Sequence, residues 1–135
     1  MSEYAKRYFQ LRVYYEDTDF SGYVYHANYL KYVERARSEY LREIGVEQNV
    51  LFAGGLTFVV RRMDCEFLRP AKFQDELQVE TRPLDMRGAR FEMMQTVKRG
   101  DEVLFTASVT VALIDSKGKP KRATPEIVAL FLRGA

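Results

Sequence analysis

The 135-residue sequence predicts an α+β fold, a curved antiparallel β-sheet wrapped around one long central α-helix. Three observations carry this. Apolar residues recur at three- and four-residue spacing over one long stretch only, beginning at Asn28. Segments on both sides of that stretch alternate with period two and are rich in β-branched and aromatic residues. The helix must bury its apolar face, and the sheet is the only partner the chain offers it.

Taken in order, residues 8–15 read as a first strand, and Asp17, Thr18, Asp19, Ser21 and Gly22 break it, because such residues favour turns and helix caps. Leu30, Val33, Ala36, Tyr40, Leu41 and Ile44 then form one helical face, with Lys31, Glu34, Arg35, Glu39, Arg42 and Glu43 on much of the remaining surface. Gly45 is suited to end the helix, since it takes positive φ without a Cβ clash. Residues 46–55 are irregular, apart from a helical turn around Gln48 to Phe52. Thr57, Val59, Met63, Cys65 and Phe67 alternate along a second strand that Pro70 ends. Leu77, Val79 and Thr81 mark a third, Phe91, Met93, Gln95 and Val97 a fourth, and Val103 through Leu113 a fifth. Arg99-Gly100-Asp101 makes the hairpin turn between the last two. Thr124 as N-cap and Pro125 in the first turn open a short C-terminal helix through Leu132. Apolar residues on both faces of the strands predict that a second copy covers the outer face.

The length fits one domain, residues 1–135, large enough to fold without a metal or disulfide staple. The one cysteine, Cys65, has no intramolecular partner and reads as a buried, inert thiol in a reducing compartment. A net charge of +2, with Lys and Arg scattered, argues against a nucleic-acid partner. No apolar run approaches the roughly 20 residues that span a bilayer, and the N-terminus lacks the apolar core of an export signal.

Chemistry concentrates between Tyr14 and Tyr29. Glu16, Asp17 and Asp19 are followed by the turn Ser21-Gly22, then by the sole histidine, His26, and then by the helix. A carboxylate, a histidine and a helix N-terminus thus meet within a few residues, an arrangement suited to acyl transfer. A free aspartate, with a pKa near ~3.9, is a weak base at neutral pH but a usable oxygen nucleophile against a thioester. Without further information Asp19 is as well explained as a turn or cap residue, and a lone histidine as a surface one. One His and one Cys cannot build a zinc site, and neither a GxGxxG nor a phosphate-binding P-loop is present.

The run Tyr15-Glu16-Asp17-Thr18-Asp19-Phe20-Ser21-Gly22-Tyr23-Val24-Tyr25-His26-Ala27-Asn28-Tyr29 resembles the signature of the 4-hydroxybenzoyl-CoA thioesterase family of hotdog-fold proteins. Within it the run resembles the branch of acyl-CoA thioesterases associated with the bacterial Tol-Pal system. Phe58-Val59-Val60-Arg61-Arg62-Met63, Phe67-Leu68-Arg69-Pro70-Ala71 and Met86-Arg87-Gly88 extend the likeness over nearly the whole chain. The resemblance implies hydrolysis of acyl-CoA to a carboxylic acid and free CoA, with no cofactor beyond the substrate's own CoA. It makes Asp19 the nucleophile or general base and His26 its helper. It makes the backbone N–H at His26 the oxyanion donor, with Gly22 allowing close approach. Candidate acyl-pocket residues are Tyr25, Tyr29 and Phe58, although an aromatic at helical spacing is ordinarily core. Candidate CoA-phosphate cations are Arg87 and Arg90, with Arg61, Arg62 and Arg122 behind them. Glu34 is a further acid on the helix, expected to pair with Lys31 or Arg35. The resemblance also implies a homodimer assembling to a homotetramer, with the site between subunits. The expected location is cytoplasmic, or peripheral at the inner membrane. The alternative class is a binding protein for acyl carrier protein or an envelope partner, with little turnover.

Overall fold

A computed structural model describes residues 4–133. The strands are β1 (Arg7–Arg12), β2 (Leu56–Phe67), β3 (Glu76–Arg87), β4 (Arg90–Arg99) and β5 (Glu102–Asp115), and the helices α1 (Asn28–Ile44), α2 (Gln48–Ala53) and α3 (Pro125–Arg133). The five strands form one sheet in the order β1-β3-β4-β5-β2, every neighbouring pair antiparallel. β1 and β2 are therefore its edges.

Helix α1 buries Tyr29, Tyr32, Val33, Ala36, Tyr40 and Ile44 against the sheet. Leu30, expected on that face, is instead exposed, because the stripe drifts around a 3.6-residue helix and passes through Tyr29 and Tyr32 in the first turns. Gly45 ends the helix as expected, at φ 94°, and the Val46 N–H donates to the Leu41 carbonyl at 2.9 Å. The facing strand residues are Leu77, Val79 and Thr81 of β3, Phe91, Met93, Gln95 and Val97 of β4, and Phe105, Ala107, Val109, Val111 and Leu113 of β5. At the C-terminal end of α1, Phe131 of α3 stacks on Tyr40 at 6.0 Å. Thr124 caps α3, its Oγ1 accepting the Ile127 N–H at 3.3 Å.

Gln95 is fully buried at the helix–sheet seam. Its Nε2 donates to the Val33 carbonyl and to Thr81 Oγ1, both at 2.9 Å. Its Oε1 accepts from Arg37 Nη1, also at 2.9 Å. Every polar atom of the amide except one lone pair is thereby matched, which is the condition for burying it at low cost.

Several expectations need correction. The first strand stops at Arg12, and Tyr15–Asp17 is a 3-10 turn. The alternation along β2 is not continuous: a register shift between Val60 and Arg62 turns Thr57 and Val59 outward. Phe58, Val60, Met63, Cys65 and Phe67 are the inward set, opposite Leu113, Val111, Val109, Ala107 and Phe105. Cys65 is only partly buried, though burial still pushes its thiol pKa up, which disfavours the reactive thiolate. The sheet's outer face is mostly polar, with Gln78, Glu80 and Arg82 on β3, Glu92, Thr96 and Lys98 on β4, and Thr106, Ser108 and Thr110 on β5. The uncovered apolar surface lies elsewhere, on the inner side of edge strand β2, where Val60 is 45% and Phe67 52% exposed. Pro83, within β3, sits at a register shift in the pairing with β4, the kind of irregularity at which a strand tolerates proline.

Candidate active site

The loop between β1 and α1 is tied together by its own backbone. The Asp17 carboxylate accepts the Tyr14 N–H at 2.8 Å, and its carbonyl accepts the Tyr25 N–H at 2.9 Å and Asn28 Nδ2 at 2.8 Å. One residue thus joins the end of the first strand, the returning loop and the start of α1. Between these ties the chain makes a tight reversal: the Asp19 N–H donates to the Tyr23 carbonyl, and the Gly22 N–H to the Asp19 carbonyl, each at 3.0 Å. Gly22 stands at φ 87°, where a side chain is strained.

The loop rests on the segment before β3, the Val24 N–H donating to the Ala71 carbonyl at 2.9 Å. Asp75 braces that segment, accepting the Lys72 N–H at 2.9 Å and Arg99 Nη1 at 2.7 Å. Burial alone would raise the pKa of Asp75. The bonds from Lys72 and Arg99 outweigh it and hold the carboxyl below its ordinary value.

Asp19 is exposed, and its Oδ1 accepts both the Ser21 N–H at 2.8 Å and the Ser21 hydroxyl at 2.5 Å. Those two bonds are the main reason its pKa lies below the ordinary value, with the nearby His26 contributing in the same direction. The His26 ring packs edge-on against Tyr25 at 4.7 Å and against Phe67 at 6.0 Å. Among the described residues the His26 backbone N–H has no hydrogen-bond acceptor, since the first bonds at the entry to α1 are donated by Asn28, Tyr29 and Leu30. The loop therefore presents an oriented carboxylate and an unused donor at a helix N-terminus, where the backbone carries about half a positive charge.

Tyr25 lies exposed on this loop beside His26. Tyr29 does not line an open site: it is 4% exposed, stacks on Phe105 at 5.0 Å and accepts the Ala71 N–H on its hydroxyl at 3.0 Å. Phe58 is not brought to Asp19 within the chain. It lines, with Arg37, Leu41, Phe91, Met93 and Phe131, a cavity of about 170 Å³ under the C-terminal half of α1. Glu34 borders the same cavity and accepts from Ser38 at 3.0 Å, in place of the expected ion pair with Lys31 or Arg35.

The arginines gather at the opposite end of the sheet. Arg61, Arg87 and Arg90 line one open groove, and Arg61, Arg62 and Arg90 a neighbouring one, while Arg122 lines neither. Arg87 is paired with Asp85 at 2.9 Å and Arg62 with Asp64 at 3.2 Å, all well exposed. The bonding roles of two residues were not anticipated from the sequence. Ser21 is the partner of Asp19, and the Asp-x-Ser spacing of an Asx turn signals it. Asn28, a cap-type residue at the helix start, is the tie to Asp17.

A model of the thioesterase-like superfamily matches residues 13–131. The acyl-CoA thioester hydrolase YbgC of Escherichia coli is 42% identical over 123 residues, 90% of this chain and 92% of that protein. The crystal structure of a probable thioesterase from Bartonella henselae superposes with a TM-score of 0.84 at 48% identity, over 89% of this chain and 100% of that one. A 4-hydroxybenzoyl-CoA thioesterase solved with 4-hydroxybenzoyl-CoA shares the fold, with a TM-score of 0.87 at 19% identity over 93% of this chain and 98% of that one. No helix among the described residues is long and apolar enough to cross a membrane. With its hotdog architecture and these relatives, the chain belongs to the thioesterase-like superfamily and is an acyl-CoA thioester hydrolase.

Proposed function

We propose that hydrolysis runs on the Asp19 loop. The carrying observation is that Ser21 fixes the Asp19 carboxylate on the same short loop as a backbone N–H, at His26, that has no acceptor of its own. The thioester carbonyl oxygen takes the His26 N–H, and Asp19 acts on the carbonyl carbon. Two routes are chemically balanced. In one, an Asp19 oxygen attacks the carbon, the C–S bond breaks, CoA leaves as the thiolate, and water then hydrolyses the mixed anhydride. In the other, Asp19 takes a proton from a water that attacks the carbon directly, the C–S bond breaks, CoA leaves as the thiolate, and Asp19 returns the proton to solvent or to the thiolate. The Ser21 bonds hold the Asp19 carboxyl below its ordinary pKa, so it is ionised at neutral pH for either route. The His26 side chain steadies the carbonyl or the water.

Within one chain the loop docks on Ala71, just ahead of β3, whereas Arg87 and Arg90 flank the turn at the far end of that strand. The 12 residues of β3, at about 3.3 Å each, separate the two by roughly 40 Å of strand. An antiparallel two-fold pairing of two copies along edge strand β2 sets one copy's loop against the other's opposite end. It also covers Val60 and Phe67. The proposed unit is therefore at least a homodimer. Asp19, His26, Gly22 and Tyr25 come from one copy. The cavity beside Phe58, for the acyl group, and Arg61, Arg62, Arg87 and Arg90, for the CoA phosphates, come from the other. Apolar cavities of about 150 Å³ accept a benzene, so a cavity of 170 Å³ fits an acyl group of about six carbons.

The test is thiol release from a panel of butanoyl-, hexanoyl-, dodecanoyl- and benzoyl-CoA. The expected result is turnover that peaks at six to seven carbons and is lost in Asp19→Asn. Turnover that Asp19→Asn leaves unchanged would overturn the assignment.

A further inference from the structure

The Tyr32 side chain is 1% exposed, and among the described residues its hydroxyl meets no partner at hydrogen-bonding geometry. A buried hydroxyl without an acceptor costs free energy, which Phe at the same position would avoid. Its surroundings say what acceptor it has at hand. Tyr32 follows Asn28 by one helical turn, so the two side chains lie one above the other on the same face of α1. Asn28 Nδ2 already holds the Asp17 carbonyl at 2.8 Å. Tyr32 therefore stands beside Asp17 one turn deeper in the helix. Burial pushes the phenol pKa up, and the neighbouring Asp17 carboxylate pushes it the same way.

Asp17 is the residue through which three parts of the loop are tied, to Tyr14, Tyr25 and Asn28. Its carboxylate uses Oδ2 for the Tyr14 N–H. A phenolic O–H brought to that carboxylate makes a charge-assisted bond, about twice as strong as a neutral one. It would hold the carboxylate from beneath.

We propose that Tyr32 is a positioning residue for hydrolysis: its hydroxyl closes onto the Asp17 carboxylate when substrate binds, and so fixes the turn that carries Asp19 and the His26 N–H. In the free protein the hydroxyl lies beside that carboxylate, just short of a well-formed bond. This rests on the assignment of Asp19 above, so the experiment keeps the two separable.

The experiment compares wild type, Tyr32→Phe, Asp17→Asn, the double variant and Asp19→Asn by steady-state hydrolysis of hexanoyl-CoA, thermal unfolding, and amide hydrogen exchange over residues 14–28. Tyr32→Phe is expected to lower kcat about tenfold with KM within about twofold, since a small misplacement of a reacting group is enough for that. Its melting temperature should not fall, and with a CoA thioether analogue bound, the loop amides should exchange faster than in wild type. The double variant should lose no more than Asp17→Asn alone. A wild-type kcat in Tyr32→Phe, a melting temperature that falls in step with it, or losses that multiply in the double variant would each overturn the proposal. Full activity in Asp19→Asn would overturn the Asp19 assignment instead, and the loop exchange would then decide the role of Tyr32 alone.

Discussion

The two ends of the sheet are built differently. At the end carrying Ala71 and Asp75, a loop is held by backbone and carboxylate bonds of 2.7–3.1 Å that leave little freedom around Asp19. At the other end, Arg61, Arg62, Arg87 and Arg90 stand in open grooves, Arg62 and Arg87 in exposed ion pairs that contribute little to stability. One end is tightly bonded and presents the Asp19 carboxylate. The other is adaptable and cationic. The difference suits the roles proposed for each: a reacting carbonyl needs fixed geometry, whereas flexible phosphates need charge that can follow them. Between them lies the seam of α1 on β4, with Gln95 at its centre, which serves the fold and touches neither end.

Substitutions should therefore sort by region. The largest effect is expected from Asp19→Asn, a loss of at least about 10²-fold in kcat with the melting temperature kept, because the amide oxygen still accepts from Ser21. Measuring both on one preparation would break the comparison if stability fell with activity. Arg87→Ala with Arg90→Ala comes next, and should raise KM about tenfold with kcat nearly unchanged. The wild-type KM should rise with salt, and that of the double variant should do so less.

Gln95→Leu acts on the seam. It removes the acceptor of Arg37 and leaves Val33 and Thr81 without their partner, a loss of about 2–4 kcal/mol in chemical denaturation, while kcat of the folded fraction stays near wild type. Gly45→Ala, forced to hold φ 94°, should cost about 1–2 kcal/mol by the same measurement.

The smallest effect is a shift in pH profile, and it sharpens the account of Asp19. Ser21 lowers the pKa of Asp19, so the ionised form survives below the ordinary aspartate range of about 3.9. The acid limb of kcat/KM should lie below that value in wild type and move upward in Ser21→Ala. Asp75 follows the same sign in stability. Its lowered pKa stabilises the fold above the unfolded value, and that contribution is lost as pH falls through the folded one.

The long helix, its Gly45 stop, the Arg99–Asp101 turn and the Thr124 cap were legible because each rests on local chemistry that neighbouring residues declare. The shift between Val60 and Arg62 was not, since one extra residue flips a face without changing the composition of the strand. Leu30 was misplaced for a related reason: three apolar or aromatic residues, Tyr29, Leu30 and Tyr32, compete for the first turn, and only packing decides among them. In the candidate site, Asp19, His26 and Gly22 were singled out through the resemblance to the thioesterase family, since type and spacing alone fit a turn or surface residue equally well. The distance between Asp19 and the arginines is a property of strand length and pairing order, and the proposed meeting of opposite ends is a property of two chains.

Mixing chains tests that meeting most directly. Asp19→Asn chains co-refolded with Arg61→Ala/Arg87→Ala/Arg90→Ala chains form pairs in which one of the two sites draws Asp19 from the second chain and all three arginines from the first. Thiol release from hexanoyl-CoA at subsaturating concentration is predicted to exceed that of either variant alone, approaching half the wild-type rate per mixed pair. A mixture no more active than the sum of its two parents would contradict a site built from opposite ends of two chains.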